Sequence, residues 1–168
     1  MVEAGLETVV KEGKNPSILV GVISDTHGLL RPEALQALRG VDAIIHAGDI
    51  CDPEILDQLR AVAPVTAVRG NMDWGGWTKD LPGTEVLEVG EAVFYVLHDL
   101  DELDLDPEEA ELSAVVYGHT HIPDIRWKSG VLFLNPGSAG PVRGSKPVSL
   151  ALVEVTANGL EPRLVTLV

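Results

Sequence analysis

The feature that most constrains this chain is an alternation of apolar strands with short helical segments, each strand closed by a polar residue. The stretch "SILVGVIS" (Ser17–Ser24) is a continuous apolar, β-branched run, as expected of a strand covered on both faces. "RPEALQALRG" follows, with Pro32 in the first turn and Gly40 at the end, and reads as a helix. "VDAIIHAG" is a second strand, "CDPEILDQLR" a second helix with Asp52 as N-cap and Pro53 at N1, and "VTAVRG" a third strand. This β-α-β-α-β order implies a parallel sheet with right-handed crossovers.

The pattern then changes to hairpins. "TEVLEVGEAVFYVLH" turns at Gly90-Glu91, "IRWKSGVLFLN" at Ser129-Gly130, and "VSLALVEVTANGLEPRLVTLV" at Asn158-Gly159. A parallel half followed by an antiparallel half is buried best by two packed sheets with helices outside. The chain has 168 residues, enough for one domain and short for two. It shows no repeat, linker or low-complexity segment. Residues 1–16 read as an N-terminal extension ending at Pro16, and residues 17–168 as a single domain. The acidic run "DLDELDLDPEEAE" (Asp99–Glu111) reads as a solvated loop and short helix, with Asp106 as N-cap and Pro107 at N1.

Charge narrows the function. A net charge of −14 argues against a nucleic-acid polymer or an anionic membrane as partner, because those need clustered Lys and Arg, and it suits a protein that holds cations. The lone Cys51 excludes an internal disulfide and suits a reducing cytoplasm. The N-terminal "MVEAGLETVVKEGKN" lacks the basic and apolar regions of a signal peptide. No apolar run approaches the roughly 18 residues of a membrane span. A cytoplasmic protein is the expectation.

The chemistry lies just past the strand ends. "ILVGVIS" is followed by Asp25 and His27, "AIIHAG" by Asp49, "VTAVRG" by Asn71, "VFYVL" by His98, and "AVVYG" by His119 and His121. In open α/β sheets the carboxyl edge is where ligands bind. The i, i+2 spacing of Asp25/His27 and of His119/His121 puts both members of each pair on one side of an extended chain. Two carboxylates, one amide oxygen and four imidazoles suit Mn²⁺, Fe, Zn²⁺ or Ni²⁺ better than Ca²⁺. Seven donors are too many for one tetrahedral ion and a sensible number for two ions sharing a bridging carboxylate. Such pairs serve in-line displacement at phosphorus.

The ordered motifs "DTHG", "GD", "GNMD", a lone His after an apolar strand, and "GHTH", with the later "NPGS" (Asn135–Ser138), resemble the calcineurin-like metallophosphoesterases, and in particular their small bacterial and archaeal phosphodiesterase branch. The resemblance implies a four-layer α-β-β-α sandwich of two mixed sheets flanked by helices. It implies one metal on Asp25, His27, Asp49 and His121 and a second on Asp49, Asn71, His98 and His119, with Mn²⁺ the leading choice. It further implies attack on a small phosphodiester by a metal-bridging hydroxide. Phosphomonoesterase or nucleotidase activity is the alternative within the same chemistry. A non-catalytic scaffold, like the retromer subunit of this fold, is the alternative outside it.

Two departures from the family pattern bear on mechanism. Met72 stands where many of these enzymes carry a histidine thought to protonate the leaving group, and a thioether donates no proton. Asp99 follows His98 where much of the branch has Gly, and is a candidate acid. Arg143 is a candidate contact for a substrate phosphate. His46, inside a strand, reads as a hydrogen-bonded core residue rather than a ligand. Cys51 reads as a small packed residue at a helix start. Trp74 and Trp77 could stack on substrate, meet a second copy in a homo-oligomer, or pin their loop to the body.

Overall fold

A computed structural model describes residues 6–10 and 17–168. Eleven strands and two α-helices follow one another as β1 (Leu6–Val9), β2 (Ile18–Ile23), α1 (Pro32–Ala37), β3 (Ala43–His46), α2 (Pro53–Arg60), β4 (Val65–Ala67), β5 (Thr84–Val89), β6 (Ala92–Leu97), β7 (Ala114–Val116), β8 (Asp124–Lys128), β9 (Val131–Asn135), β10 (Ser149–Thr156) and β11 (Gly159–Thr166). They form two mixed sheets, one ordered β11-β10-β2-β3-β4 and the other β1-β5-β6-β7-β9-β8. In the first, β2, β3 and β4 are parallel and the β10–β11 hairpin runs against β2. In the second, β6, β7 and β9 are parallel, and β5 and β8 join them as antiparallel hairpin partners.

The apolar runs explain the layering. Val20, Val22 and Ile45 meet Phe94, Val96, Val116 and Leu134 in the core between the sheets. The alternate residues Ile23, Ile44 and Leu150 face outward against Ala34 and Leu38 of the α1 segment and Ile55, Leu56 and Leu59 of α2. Strands apolar on both faces are therefore needed here, as the unbroken run in β2 indicates. Asp52 caps α2, its side chain accepting from the Glu54 N–H at 2.9 Å, and Pro53 opens the helix. On the far side, Tyr95, Val115 and Phe133 are covered by Leu100, Leu103 and Leu105. That outer layer is a short 3₁₀ turn, Leu100–Glu102, followed by the turn that Asp106 caps through Glu108 N (2.9 Å). The sandwich is thus helical on one side and made of 3₁₀ and turn structure on the other.

Two local readings change. Residues 6–9, expected within an N-terminal extension, form β1, parallel to β5 in the register Leu6–Val86 to Val9–Val89. An uncovered β5 edge would leave backbone N–H and C=O groups unpaired, and β1 pairs them. The rest of residues 1–16 lies outside the described residues. The last hairpin turns on Ala157–Asn158 rather than Asn158-Gly159: Thr156 pairs with Gly159, which opens β11 at φ +120. Among the described residues no helix is long and apolar enough to cross a membrane.

Candidate metal centre

The carboxyl ends of β2, β3, β4, β6 and β7 come together at one edge of the sandwich. Backbone hydrogen bonds stitch the loops that leave them: Asp25 N to Gly48 O (3.0 Å), His27 N to Asp49 O (2.9 Å) and Gly118 N to His98 O (3.0 Å). Non-glycine residues with positive φ are rare because the left-handed region crowds a Cβ. Eight occur among the described residues, and six of them are Asp25, His27, Asp49, Cys51, His119 and His121, with φ between 46 and 72. The i, i+2 pairs therefore converge by bending, not by lying along an extended strand. Backbone strain of this kind is retained where the surroundings fix it, as at functional sites.

Glycines let the loops approach. A Cβ on Gly118 would overlap the Ser24 hydroxyl and the Asp25 carboxylate, and one on Gly70 would overlap Asp49. The donor atoms consequently crowd together. Asp25 Oδ1 lies 3.2 Å from His121 Nε2, 3.6 Å from His27 Nε2 and 4.0 Å from His98 Nε2. Asp49 Oδ2 lies between His98 Nε2 (3.3 Å) and His27 Nε2 (3.6 Å). The Nε2 atoms of His27 and His121 face each other at 3.2 Å. Asn71 Oδ1 is 3.0 Å from His98 Nε2 and 3.2 Å from His119 Nδ1. All seven sequence-picked donors are thus gathered. Two compact groups stand out, Asp25/His27/His121 and Asp25/Asp49/His98, and Asp25 belongs to both.

The surroundings prepare these atoms to bind a cation. Asp25 is fully buried, yet its Oδ1 accepts no hydrogen bond among the described residues. A buried carboxylate oxygen without a donor is costly, and a metal ion would satisfy it. Its other oxygen accepts from Ser24 Oγ (2.6 Å) and His119 N (3.1 Å). Asp49 Oδ1 accepts from Met72 N at 2.8 Å. His98 Nδ1 donates to the Ala47 carbonyl at 2.7 Å, which turns Nε2 toward Asp49 and Asn71, where it can bind a cation once it gives up its proton. Carboxylates and imidazoles at these distances fit a divalent metal ion.

Charge states agree. Burial opposes ionisation of Asp25, but the His27 imidazole, the Ser24 hydroxyl and the charges of His98 and His121 outweigh it and hold its pKa below the ordinary value. Burial likewise opposes the Asp49 charge, and His98 and Met72 N–H overcome it, lowering its pKa. Burial works against a charged His98, but its bond to Asp49 and the Asp25 charge raise its pKa. Burial lowers the pKa of His121 against the pull of Asp25, and the Arg143, His27 and Lys146 charges add to that depression.

The remaining singled-out residues divide. Asp99 Oδ2 lies 3.8 Å from His119 Nε2, while its Oδ1 accepts from Asp101 N (3.0 Å). Met72 is 48% exposed at the edge of the site. Trp77 is partly buried and packs against the apolar cluster to which α1 and α2 contribute, whereas Trp74 is exposed. His46 is fully buried and neutral: its Nδ1 accepts from Gly48 N (3.2 Å), so its Nε2–H donates to Thr26 Oγ1 (3.0 Å). Cys51 Sγ sits 3.8 Å from His27 Nδ1, and burial and nearby carboxylates push its thiol up to about 11, well away from a reactive thiolate.

Sequence reasoning quoted the Asn135–Ser138 motif without finding its use. Asn135 Nδ2 donates to Gly118 O and Thr120 Oγ1, both at 3.0 Å, and Ser138 Oγ donates to Asp25 O at 2.9 Å. The motif clamps the two ligand-bearing loops. Ser24 was missed altogether; its place beside Asp25 in the chain is the only signal it offers.

Comparison with known proteins follows the same line. A profile of the calcineurin-like phosphoesterase superfamily domain matches residues 18–158. A protein of Methanocaldococcus jannaschii named "probable metallophosphoesterase" is 41% identical over 135 residues, covering 73% of this chain and 68% of its own. A phosphodiesterase of Escherichia coli is 28% identical over 155 residues, covering 78% of this chain and 84% of its own. The structure of vacuolar protein sorting 29 from Cryptosporidium parvum superposes with a TM-score of 0.73 over 89% of this chain and 97% of its own; at 21% identity this shows a shared fold.

Proposed function

The chain belongs to the calcineurin-like phosphoesterase superfamily, and we propose that it is a metal-dependent phosphodiesterase acting on small phosphodiesters at a dinuclear centre. The observation that carries this reading is Asp25 Oδ1, buried without a hydrogen bond where two donor groups meet. Asp25, His27, Asp49 and His121 would hold one ion, and Asp49, Asn71, His98 and His119 would hold the other. When bound, a pair of divalent ions makes water acidic enough to be a nucleophile near neutral pH and neutralises phosphate charge. Mn²⁺ heads the candidates for this mixed oxygen and nitrogen set, ahead of Fe, Zn²⁺ and Ni²⁺.

The chain's own part is orientation and proton placement. The Ala47 carbonyl keeps the His98 proton on Nδ1. Ser24 and Met72 N–H hold the two carboxylates ionised and correctly turned. No imidazole occupies position 72, and Asp99, 3.8 Å from His119 Nε2, is the remaining candidate acid. Diester preference is supported by the phosphodiesterase name of the E. coli relative. A free Cys51 fits a reducing cytoplasm.

The test is hydrolysis of bis(p-nitrophenyl) phosphate and p-nitrophenyl phosphate with each metal in turn. The expected result is metal-dependent turnover favouring the diester and lost in Asp49→Asn. Preference for the monoester would favour the nucleotidase reading. No turnover with any metal would favour a scaffold acting through protein contacts.

A further inference from the structure

Two cations stand on one turn beside this centre. Among the described residues few Lys or Arg side chains reach a carboxylate. Arg60 pairs with Asp57 and Arg126 with Asp124, at 3.3 and 3.4 Å. Among the described residues, Arg143 and Lys146 have no such partner, although both are exposed. Their loop is nonetheless tied down. Arg31 Nε donates to Gly140 O at 2.9 Å, and Gly140 packs so closely on the Thr26 carbonyl that a Cβ there would overlap it. Lys146 N bonds Arg143 O at 3.1 Å, closing a turn that carries both cations. Lys146 Nζ donates to the carbonyl of Thr120 at 3.2 Å, and Thr120 is the residue between His119 and His121. Through that bond Lys146, with the turn that also carries Arg143, sits against the His119–His121 loop, and both charges act on the His121 imidazole.

The neighbouring surface, which shares Thr120 with the Lys146 contact, has the reverse sign. Beyond His119 lies a cavity of about 360 Å³ whose walls include Asp99, Asp101 and Asp124 against the single cation Arg126. A substrate reaching from the turn into the cavity meets positive charge at the turn and mostly negative charge along the cavity wall.

Building on the phosphodiesterase reading, we propose that Arg143 and Lys146 select diesters that carry a second phosphate, held over His121 while the other substituent enters the cavity beside His119. Neither cation must leave a carboxylate to meet a phosphate, and Lys146 exchanges only its bond to the Thr120 carbonyl. Exposed charge contacts are individually weak, so the expected selectivity is about tenfold rather than thousands.

The test uses two probes with one scissile bond: the p-nitrophenyl ester of thymidine 5′-phosphate, without and with a 3′-phosphate. The readout is the ratio of their kcat/KM values on the Mn²⁺-loaded protein, in which changes in metal affinity or folding cancel. The 3′-phosphorylated probe should be favoured about tenfold at low ionic strength, with the ratio shrinking as salt is added. It should approach one in the Arg143→Ala/Lys146→Ala double variant and fall below one in Arg143→Glu. Thymidine 3′,5′-bisphosphate against thymidine 5′-phosphate, compared by calorimetric binding, gives the same ratio without turnover. A ratio near one in the parent, or one that survives the double variant, overturns the proposal. Absence of turnover on both probes with every metal would instead sink the hydrolase reading, while the binding ratio still decides this one.

Discussion

Met72 stands at the rim of the centre with its backbone N–H on Asp49 and its side chain half in solvent. Breaking a P–O bond leaves negative charge on the departing oxygen, and a positioned acid typically contributes about 10²–10⁴-fold when that oxygen is basic. A thioether supplies none. The protein should therefore cleave nitrophenyl diesters well and alkyl diesters poorly, and Met72→His should raise the rate on poor leaving groups far more than on nitrophenyl ones. The measurement is kcat/KM across diesters of graded leaving-group pKa, in parent and variant. A shallow dependence in the parent would mean that Asp99 or another group already delivers the proton. His46 invites a second test at the same scale. Burial is the main reason that its pKa falls from 6.5 to about 3. The unfolded chain takes up a proton below 6.5 and the native His46 does not until about 3. Its contribution to stability is therefore full above pH 6.5 and is lost as pH falls. At pH 5 the loss is about 2 kcal/mol. Metal-free parent protein should lose more stability between pH 7 and 5 than His46→Gln, whose amide carries a donor and an acceptor but does not titrate. Parallel losses in denaturant melts would refute this.

Strands and their ends were legible because their signals are local. The strands β2, β3 and β6 lie in largely apolar runs, and Asp25, Asp49 and His98 are legible as the polar residues just past those runs. The hairpin at Ser129-Gly130 was equally plain: both residues take positive φ, 51 and 77, as a type I′ turn requires. What was not legible depends on pairing at a distance. Nothing within residues 6–9 announces that β5, some eighty residues on, will present an open edge. The Ala157–Asn158 turn differs from its neighbour Asn158-Gly159 by one residue of register, which is set by β10 packing against β2 as much as by turn chemistry. The centre shows the same division. Its donors could be picked from strand ends, but the left-handed bends that aim them, and the sharing of Asp25 Oδ1 between two groups, come from loops stitched across both sheets.

As a whole, the molecule is two sheets whose carboxyl edges meet at a cluster of ionised carboxylates and imidazoles, in a chain of net charge −14. Without cations, Asp25 and Asp49 repel one another at that seam, and Asp25 Oδ1 is buried unsatisfied. Two divalent ions would remove both penalties, so occupancy and activity should rise together. The most direct test is a titration of metal-free protein with Mn²⁺, following bound metal and bis(p-nitrophenyl) phosphate hydrolysis in the same samples. Two ions per chain, with turnover climbing until the second is bound, is the predicted result. Saturation at one ion, or full occupancy without hydrolysis, would contradict the dinuclear phosphodiesterase assignment.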